Sequence, residues 1–210
     1  DDELKKYFGK NFRDKKPFGW EEEFPEVFKQ GGFDVIIGNP PYVVLDANDE
    51  DINLFKNLYT SSQGGKINLY KLFIERGLNL LKSKGCLGFI CPSNYLSSAD
   101  SEVLRKLLLT RSKLIEIIEY SEKDKGFEGV TQALTTLILQ KEEVDKNFKL
   151  HLVTKNQGEN YVSQKDFINN KSYSFVPSNL IIGIMKRQKL KISDLCKCYQ
   201  GEINVSTKKE

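Results

Sequence analysis

An apolar run that ends in two prolines constrains the fold of this chain more than any other feature. Residues 33–43 read FDVIIGNPPYV. The first part is short, continuous and rich in β-branched residues, which is the pattern of a strand buried on both faces. Proline offers no N–H to a ladder of hydrogen bonds, and it pushes the residue before it into an extended conformation. The sequence therefore predicts a buried strand followed at once by a rigid turn of Asn39, Pro40, Pro41 and Tyr42.

The segments downstream alternate between helix and strand patterns. INLYKLFIERGLNLLKSKG predicts a helix that stops at Gly85, and SADSEVLRKLLLTR predicts a second helix capped by Ser98 or Asp100. Strands are predicted at CLGFICP, LIEIIEY and ALTTLILQK, with FKLHLVT as an edge, whereas residues 46–66 have the composition of a mobile loop. This order predicts an α/β sheet, mostly parallel, with an antiparallel pair near its end.

Polar and aromatic residues follow two of these strands. Asn39 to Tyr42 follow the first, and Ser93, Asn94 and Tyr95 follow CLGFICP. In α/β sheets, ligands bind outside the carboxyl ends of the strands. The two turns therefore predict a functional site at one sheet edge. Ser93, Asn94 and Tyr95 either line its pocket or serve as structural caps.

Composition excludes several classes of function. Hydrophobic residues make up 39% and charged residues 29%, no apolar run reaches membrane-spanning length, and the net charge of +3 gives no case for nucleic-acid binding. The spacing of Cys86, Cys91, Cys196 and Cys198 is typical of reduced thiols rather than of a zinc site. The single histidine, His151, lies in an alternating strand-like stretch and is interpreted as structural.

Longer segments around the turn carry a resemblance to a known family. FGWEEEFPEVFKQGGFDVIIGNPPYV, INLYKLFIERGLNLLKSKGCLGFICPSNYLSS and KGFEGVTQALTTLILQK resemble adenine-specific (N6) DNA methyltransferases of restriction-modification systems, above all the type IIG enzymes. The match runs from about residue 17 to residue 141, and Gly19 stands where such enzymes often have histidine. The resemblance implies a Rossmann-like fold dependent on S-adenosylmethionine. This chain would supply the C-terminal part of the mixed, mostly parallel sheet.

The resemblance also implies roles for individual residues. In this family, the Asn39 side-chain oxygen and the Pro40 carbonyl would accept the N6 hydrogens of a flipped-out adenine, and Pro41 would help to hold that backbone rigid. Tyr42 would stack on one face of the base. Phe127, which precedes the last strands, would stack on the other face, unless it is a core aromatic. The methyl donor would be S-adenosylmethionine.

The turn that binds this cofactor is not recognisable in the sequence. Residues 1–32 contain no Gly-x-Gly between a strand and a helix, so the cofactor-binding residues remain unknown and the chain is interpreted as the catalytic half of a methyltransferase domain. The predicted division is an arm at 1–30, the catalytic part at 31–155, a connector at 156–189 and the start of a target-recognition domain at 190–210. Without the upstream strands, an apolar sheet edge would be exposed and would favour dimers.

The function predicted from these observations is site-specific methylation of adenine N6 in double-stranded DNA, as part of a restriction-modification enzyme. The protein would work in the cytoplasm of a bacterium or archaeon, without a metal ion and without a membrane. Two alternatives stay open. One is a methyltransferase that acts on RNA or on protein glutamine, and the other is a non-catalytic fragment that binds DNA or a protein partner.

Overall fold

A single six-stranded sheet organises the part of the chain that the structure describes. A computed structural model describes residues 18–46, 48–49, 51–120, 133–144, 148–155, 158–168 and 170–175. The strands are β1 Phe33–Gly38, β2 Leu81–Pro92, β3 Lys113–Tyr120, β4 Leu134–Gln140, β5 Lys149–Thr154 and β6 Gly158–Ser163. The α-helices are α1 Trp20–Glu23, α2 Pro25–Lys29, α3 Ile52–Leu58, α4 Leu69–Leu80, α5 Glu102–Arg111 and α6 Gln164–Ile168.

The sheet is mixed, with the strand order β1-β2-β4-β3-β5-β6. β1 pairs with β2 and β3 pairs with β5 in parallel, whereas β4 is antiparallel to both β2 and β3, and β6 is antiparallel to β5. The strands β1, β2, β3 and β5 therefore run in one direction. This arrangement confirms the predicted α/β class with a mixed sheet and an antiparallel β3–β4 pair, whereas only two of the five neighbouring pairs in this sheet, β1–β2 and β3–β5, are parallel.

The core lies between one face of the sheet and the two longest helices, α4 and α5. Leu87, Leu137 and Ile117 on three adjacent strands are fully buried on this face. Gly77 of α4 touches the sheet so closely that a Cβ there would lie 2.5 Å from Leu87 Cδ1. Burial of each such side chain contributes about 1.5–3 kcal/mol. Packing against the helices therefore fixes which face of each strand points inward.

β1 differs from its prediction as a strand buried on both faces. Ile36 packs against the core, but Val35 is 60% exposed and Ile37 is 79% exposed. Side chains of a strand alternate between the two faces of a sheet. On the face that carries Val35 and Ile37, no element among the described residues covers β1. The apolar run alone cannot reveal whether the second face is covered within this chain.

The end of α4 also differs from its prediction. The helix ends at Leu80 and β2 begins at Leu81, so Gly85 lies inside the strand rather than beyond the helix. The β1–β2 register shifts just there, and Lys84 adopts a φ of 64°. A Cβ at Gly85 would lie 2.8 Å from the Phe33 carbonyl oxygen. The glycine is therefore required by a close approach of two strands.

Residues 158–168, predicted to be a structureless connector, form β6 and α6. Because β6 pairs with β5, FKLHLVT is not the edge strand that its pattern predicted. Val162, Phe167 and Phe175 are buried in the main core. The signal was weak because only Val162 of the strand GENYVS faces the core. The predicted arm up to residue 17 and the predicted recognition-domain start at 190–210 lie outside the described residues, and the domain division stays a prediction.

Candidate active site

The tetrad Asn39 to Tyr42 directly follows the carboxyl end of β1. Gly38, the last residue of this strand, pairs with Phe89 of the parallel strand β2. Asn39 is exposed, Pro40 is buried and Tyr42 is half-buried against the main core. The rigid turn therefore presents one amide side chain and one phenol ring at an open sheet edge.

Asn39 and Tyr42 are joined by a short hydrogen bond. The Tyr42 hydroxyl lies 2.5 Å from Asn39 Oδ1 and 3.1 Å from the Ile90 carbonyl oxygen. Burial, with a smaller contribution from Cys91, raises the pKa of Tyr42 to about 12. The hydroxyl thus stays protonated near neutral pH and acts as a donor. This contact links the turn after β1 to the backbone of β2.

A second turn follows β2 at the same edge and forms the 3₁₀-helix Ser93–Leu96. Pro92, Ser93, Asn94 and Ala133 line a cavity of about 310 Å³. The Asn94 side-chain oxygen accepts a hydrogen bond of 2.8 Å from the Tyr70 hydroxyl. Ser93 and Asn94 therefore line a cavity at the carboxyl end of β2, and no residue of the tetrad lines it.

Tyr95 does not share this position. Its side chain is fully buried and packs edge-on against Phe175. Burial raises the pKa of Tyr95 well above its usual range. Of the three residues considered for the pocket, Tyr95 therefore belongs to the core.

Arg105 of α5 anchors the second turn, a role that the sequence pattern did not predict. The side chain is fully buried and donates hydrogen bonds of 2.7 Å to the carbonyls of both Tyr95 and Ser98. Its other nitrogens lie 2.8 and 2.9 Å from the Ser172 carbonyl oxygen. The available signal was an arginine on the apolar side of a helix, next to Leu104 and Leu108.

The segment predicted to be a mobile loop is folded beside the tetrad. It contains α3 and the 3₁₀-helix Thr60–Ser62, and it has a small core of its own built on Ile52, Ile67 and Leu72. Two backbone hydrogen bonds of 2.9 Å, Leu45 to Ile67 and Leu69 to Val43, tie the chain after Tyr42 to the start of α4. We call residues 43–69 the lid segment.

Two buried charged residues of α4 bind neighbouring segments, Glu75 the lid segment and Lys71 the residue Asp100 before α5. The Glu75 carboxylate accepts the backbone N–H groups of Thr60 and Ser61 at 3.0 and 2.7 Å. Lys71 pairs with Asp100 at 3.1 Å and also donates to its carbonyl at 2.9 Å. Asp100 therefore binds α4, and neither of the two predicted caps, Ser98 and Asp100, caps α5, whose N-cap residue is Ser101. Its pKa is lowered because its hydrogen bonds and the Lys71 charge outweigh its burial.

Phe127, the second residue predicted to stack on the base, lies outside the described residues, as do Cys196 and Cys198. Among the residues that are described, Cys86 and Cys91 are free thiols, and burial raises the pKa of Cys91 to about 12. No cluster of three or more His, Cys, Asp or Glu side chains is placed to hold a metal ion in that part of the chain. None of its helices is long and apolar enough to cross a membrane.

The described residues do not fit S-adenosylmethionine as a complete site. They include no strand–Gly-x-Gly–helix turn, the feature that would cradle the cofactor. What they do supply next to β1 are neutral oxygen acceptors, which suit an amino group or a cationic methyl donor. No residue of the described chain is therefore assigned to cofactor binding.

Comparison with known proteins identifies the family. The family model described as Eco57I restriction-modification methylase matches residues 2–127, which is more than half of the 210 residues. The chain belongs to this family. The type II restriction enzyme and methyltransferase RM.Eco57I of Escherichia coli is 34% identical over 125 residues, covering 58% of this chain and 12% of that protein. The type II methyltransferase M.BstVI of Geobacillus stearothermophilus is 30% identical over 129 residues, covering 61% and 22%.

A solved structure supports the same fold. The type IIG restriction endonuclease BpuSI aligns with a TM-score of 0.53 at 17% sequence identity, covering 72% of this chain and 22% of that one. The chain therefore spans less than a quarter of each of these three proteins. The tetrad after β1 lies within the residues that the Eco57I methylase family model matches.

Proposed function

We propose that this chain is the catalytic part of an enzyme that transfers a methyl group from S-adenosylmethionine to N6 of adenine in DNA. The observation that carries the proposal is the tetrad at the carboxyl end of β1, with the exposed Asn39 amide followed by the buried Pro40. Methylase family membership and the restriction-modification relatives support it.

The chemistry explains why this turn has two prolines. The lone pair of adenine N6 is delocalised into the ring, which makes the amino group a poor nucleophile. Two acceptors that hold its hydrogens, the Asn39 Oδ1 and the Pro40 carbonyl, favour a pyramidal nitrogen and are most valuable in the transition state. Proline at 40 and 41 contributes no N–H that would compete for these acceptors, and its fixed φ keeps the carbonyl in place.

The site also needs partners for the two faces of the base. An adenine inside a duplex cannot reach the tetrad, so the target nucleotide must be flipped out. We assign one stacking face to Tyr42 and the other to Phe127. Stacking on an aromatic side chain contributes about 1–3 kcal/mol per base.

The wider proposal concerns the whole protein. We propose double-stranded DNA as its partner, the cytoplasm of a bacterium or archaeon as its location, and a recognition domain that begins near residue 190. The alternatives are methylation of RNA or protein glutamine, and a non-catalytic DNA-binding fragment. The restriction-modification relatives favour DNA over the first, and an intact tetrad favours catalysis over the second.

The test is to express the full-length protein that contains this chain in a host that lacks adenine methylation. Sequencing that reads N6-methyladenine directly should find it in one short motif of the host DNA. Asn39→Ala should lower methyl transfer by about 100- to 1,000-fold, the usual loss for one transition-state hydrogen bond. Its melting temperature and its affinity for DNA should not change, because Asn39 is exposed.

Asn79→Ala is the matched control, because Asn79 is an asparagine of α4 whose contact, with Arg111, lies away from the tetrad. It should methylate at the normal rate. Radiolabelled methyl groups that appear in RNA or protein instead of DNA would establish the first alternative. Binding to DNA without any methyl transfer would establish the second.

A further inference from the structure

The side chain of Asn39 poses an orientation problem for the proposed chemistry. Its amide has an acceptor oxygen and a donor NH₂ of nearly the same shape. Only the oxygen can bind the amino group of adenine, since a donor facing N6 would oppose it. Asn39 is exposed, so packing alone does not select between the two orientations. A neighbouring group has to make the selection.

The Tyr42 hydroxyl is placed to do this. It lies 2.5 Å from Asn39 Oδ1, and its single hydrogen can be donated only to an oxygen at that position. The Ile90 carbonyl oxygen on β2 lies 3.1 Å from the same hydroxyl and is the second acceptor within reach of its single hydrogen. An amide turned by 180° would instead place its NH₂ 2.5 Å from the hydroxyl oxygen, a distance that suits an O–H···O bond and is shorter than the roughly 2.7–3.2 Å of an N–H···O bond.

An amide oxygen has two lone pairs, so one hydrogen bond does not exhaust it. We infer that the Tyr42 hydroxyl is a positioning group that fixes the Asn39 amide with Oδ1 toward the target amino group. One lone pair of Oδ1 accepts from Tyr42, and the other receives an N6 hydrogen. The inference rests on the proposed function and adds a role for Tyr42 that is separate from stacking.

The test separates the hydroxyl from the ring. In the full-length protein, Tyr42→Phe keeps the aromatic face and removes only the donor. We expect kcat to fall about tenfold, the effect of one neutral hydrogen bond. The affinity for DNA and the fluorescence of 2-aminopurine at the target position should stay as in the unaltered protein. The target motif is first read from the methylated host DNA.

A double-mutant cycle with Asn39→Asp makes the test specific to orientation. The carboxylate has two equivalent oxygens, so it has no wrong orientation to exclude. In that background, Tyr42→Phe should change kcat less than twofold. An equal fall of kcat in both backgrounds would overturn the inference, as would an unchanged kcat for Tyr42→Phe alone. If methyl transfer by Asn39→Asp is too slow to measure, Tyr42→Phe alone gives the answer. A lower kcat with an unchanged 2-aminopurine signal supports the inference.

The control variant is Tyr161→Phe, which removes a hydroxyl from the exposed side chain on β6 that bonds Glu159. It should leave kcat unchanged, which excludes a general effect of losing a phenol. A loss of 2-aminopurine fluorescence in Tyr42→Phe would assign the defect to stacking and would overturn the positioning role. An unaltered protein that makes no N6-methyladenine would instead refute the proposed function.

Discussion

The two turns at the carboxyl ends of β1 and β2 lie at the same edge of the sheet and are built in opposite ways. The turn after β1 presents an exposed, uncharged Asn39 whose described side-chain contact is with Tyr42. The turn after β2 is anchored from below by the fully buried Arg105, which binds two of its carbonyls. The first turn is thus free to meet a substrate, whereas the second fixes the wall beside it.

We therefore expect substitutions in the turn after β1 to affect activity and substitutions at the anchor of the turn after β2 to affect stability. In the proposed function Asn39 binds a ligand through its side chain, so its replacement should lower turnover and leave folding unchanged. Arg105 donates its hydrogen bonds to backbone carbonyls of the protein, so its replacement should lower the stability of the fold. The pair of variants Asn39→Ala and Arg105→Met therefore forms a direct test of the comparison.

Arg105→Met should give the largest loss of stability. The substitution removes the guanidinium donors from the carbonyls of Tyr95, Ser98 and Ser172, of which Ser98 still accepts the Ser101 N–H at 3.2 Å. Each buried acceptor that loses its partner costs about 1–3 kcal/mol, so the free energy of unfolding should fall by about 4 kcal/mol. Denaturant unfolding followed by circular dichroism measures it.

Arg111→Met is the matched control for this variant. Arg111 lies in the same helix, is exposed and donates to the Asn79 side chain. Its replacement should change the free energy of unfolding by about 0.5 kcal/mol or less. A similar loss in both variants would show that Arg105 stabilises only as a helix residue and not as the anchor of the second turn.

Local patterns predicted much of this architecture, and tertiary contacts decided the rest. The strands β1 to β4 and the helices α4 and α5 follow from apolar periodicity and proline stops, which are properties of short segments. Arg105 was not predicted because its partners are backbone carbonyls, which leave no mark on the sequence. The lid segment was missed for a related reason, since its polar composition hides a small core that forms only against α4.

The candidate site divides in the same way. The tetrad could be found because two prolines and a tyrosine after a strand form a local signature. The bond between Tyr42 and Ile90 could not be found, since it joins residues 48 positions apart on neighbouring strands. Likewise, the exposure of Val35 and Ile37 depends on whether another element covers β1, and the strand pattern is the same in either case.

Glu75→Gln should lower the free energy of unfolding by less than Arg105→Met does. It tests the lid segment, which follows the first turn in the chain. The carboxylate accepts two N–H groups of the lid segment, and the neutral amide keeps one oxygen for them. Loss of a charge-assisted hydrogen bond should lower the free energy of unfolding by about 1.5–3 kcal/mol. Limited proteolysis within residues 46–66 should become faster, because that segment opens locally.

Glu26→Gln is the control for Glu75→Gln. Glu26 pairs with Lys29 at the surface, where the two side chains are 77% and 70% exposed. Exposed pairs of this kind contribute little, so neither the unfolding curve nor the cleavage rate should change. If proteolysis of the lid segment were equally slow in the Glu75 variant, the lid would be held by its apolar core alone.

The smallest change in stability is expected for a substitution at His151. This residue lies on β5, which is not adjacent to β1 or β2 in the sheet. Its two ring nitrogens lie 2.8 Å from Glu116 and 3.1 Å from Glu159, and its ring stacks on Tyr161 with centroids 4.9 Å apart. Ionised carboxylates only accept hydrogen bonds, so both contacts are satisfied only by the protonated imidazolium. The bond to Glu116, more than that to Glu159, raises the pKa of His151 above 6.5.

The raised pKa of His151 determines how the stability of the protein changes with pH. A histidine pKa raised by folding contributes stability that is fully present below the unfolded pKa of 6.5 and is lost as pH rises through the folded value. The melting temperature of the unaltered protein should therefore exceed that of His151→Gln most at about pH 5.5, and the difference should shrink toward pH 9. Methyl transfer by the two proteins should be equal at each pH, because His151 lies on β5 and not in either turn. A difference in melting temperature that grew with pH would mean that the neutral ring is the form the fold stabilises.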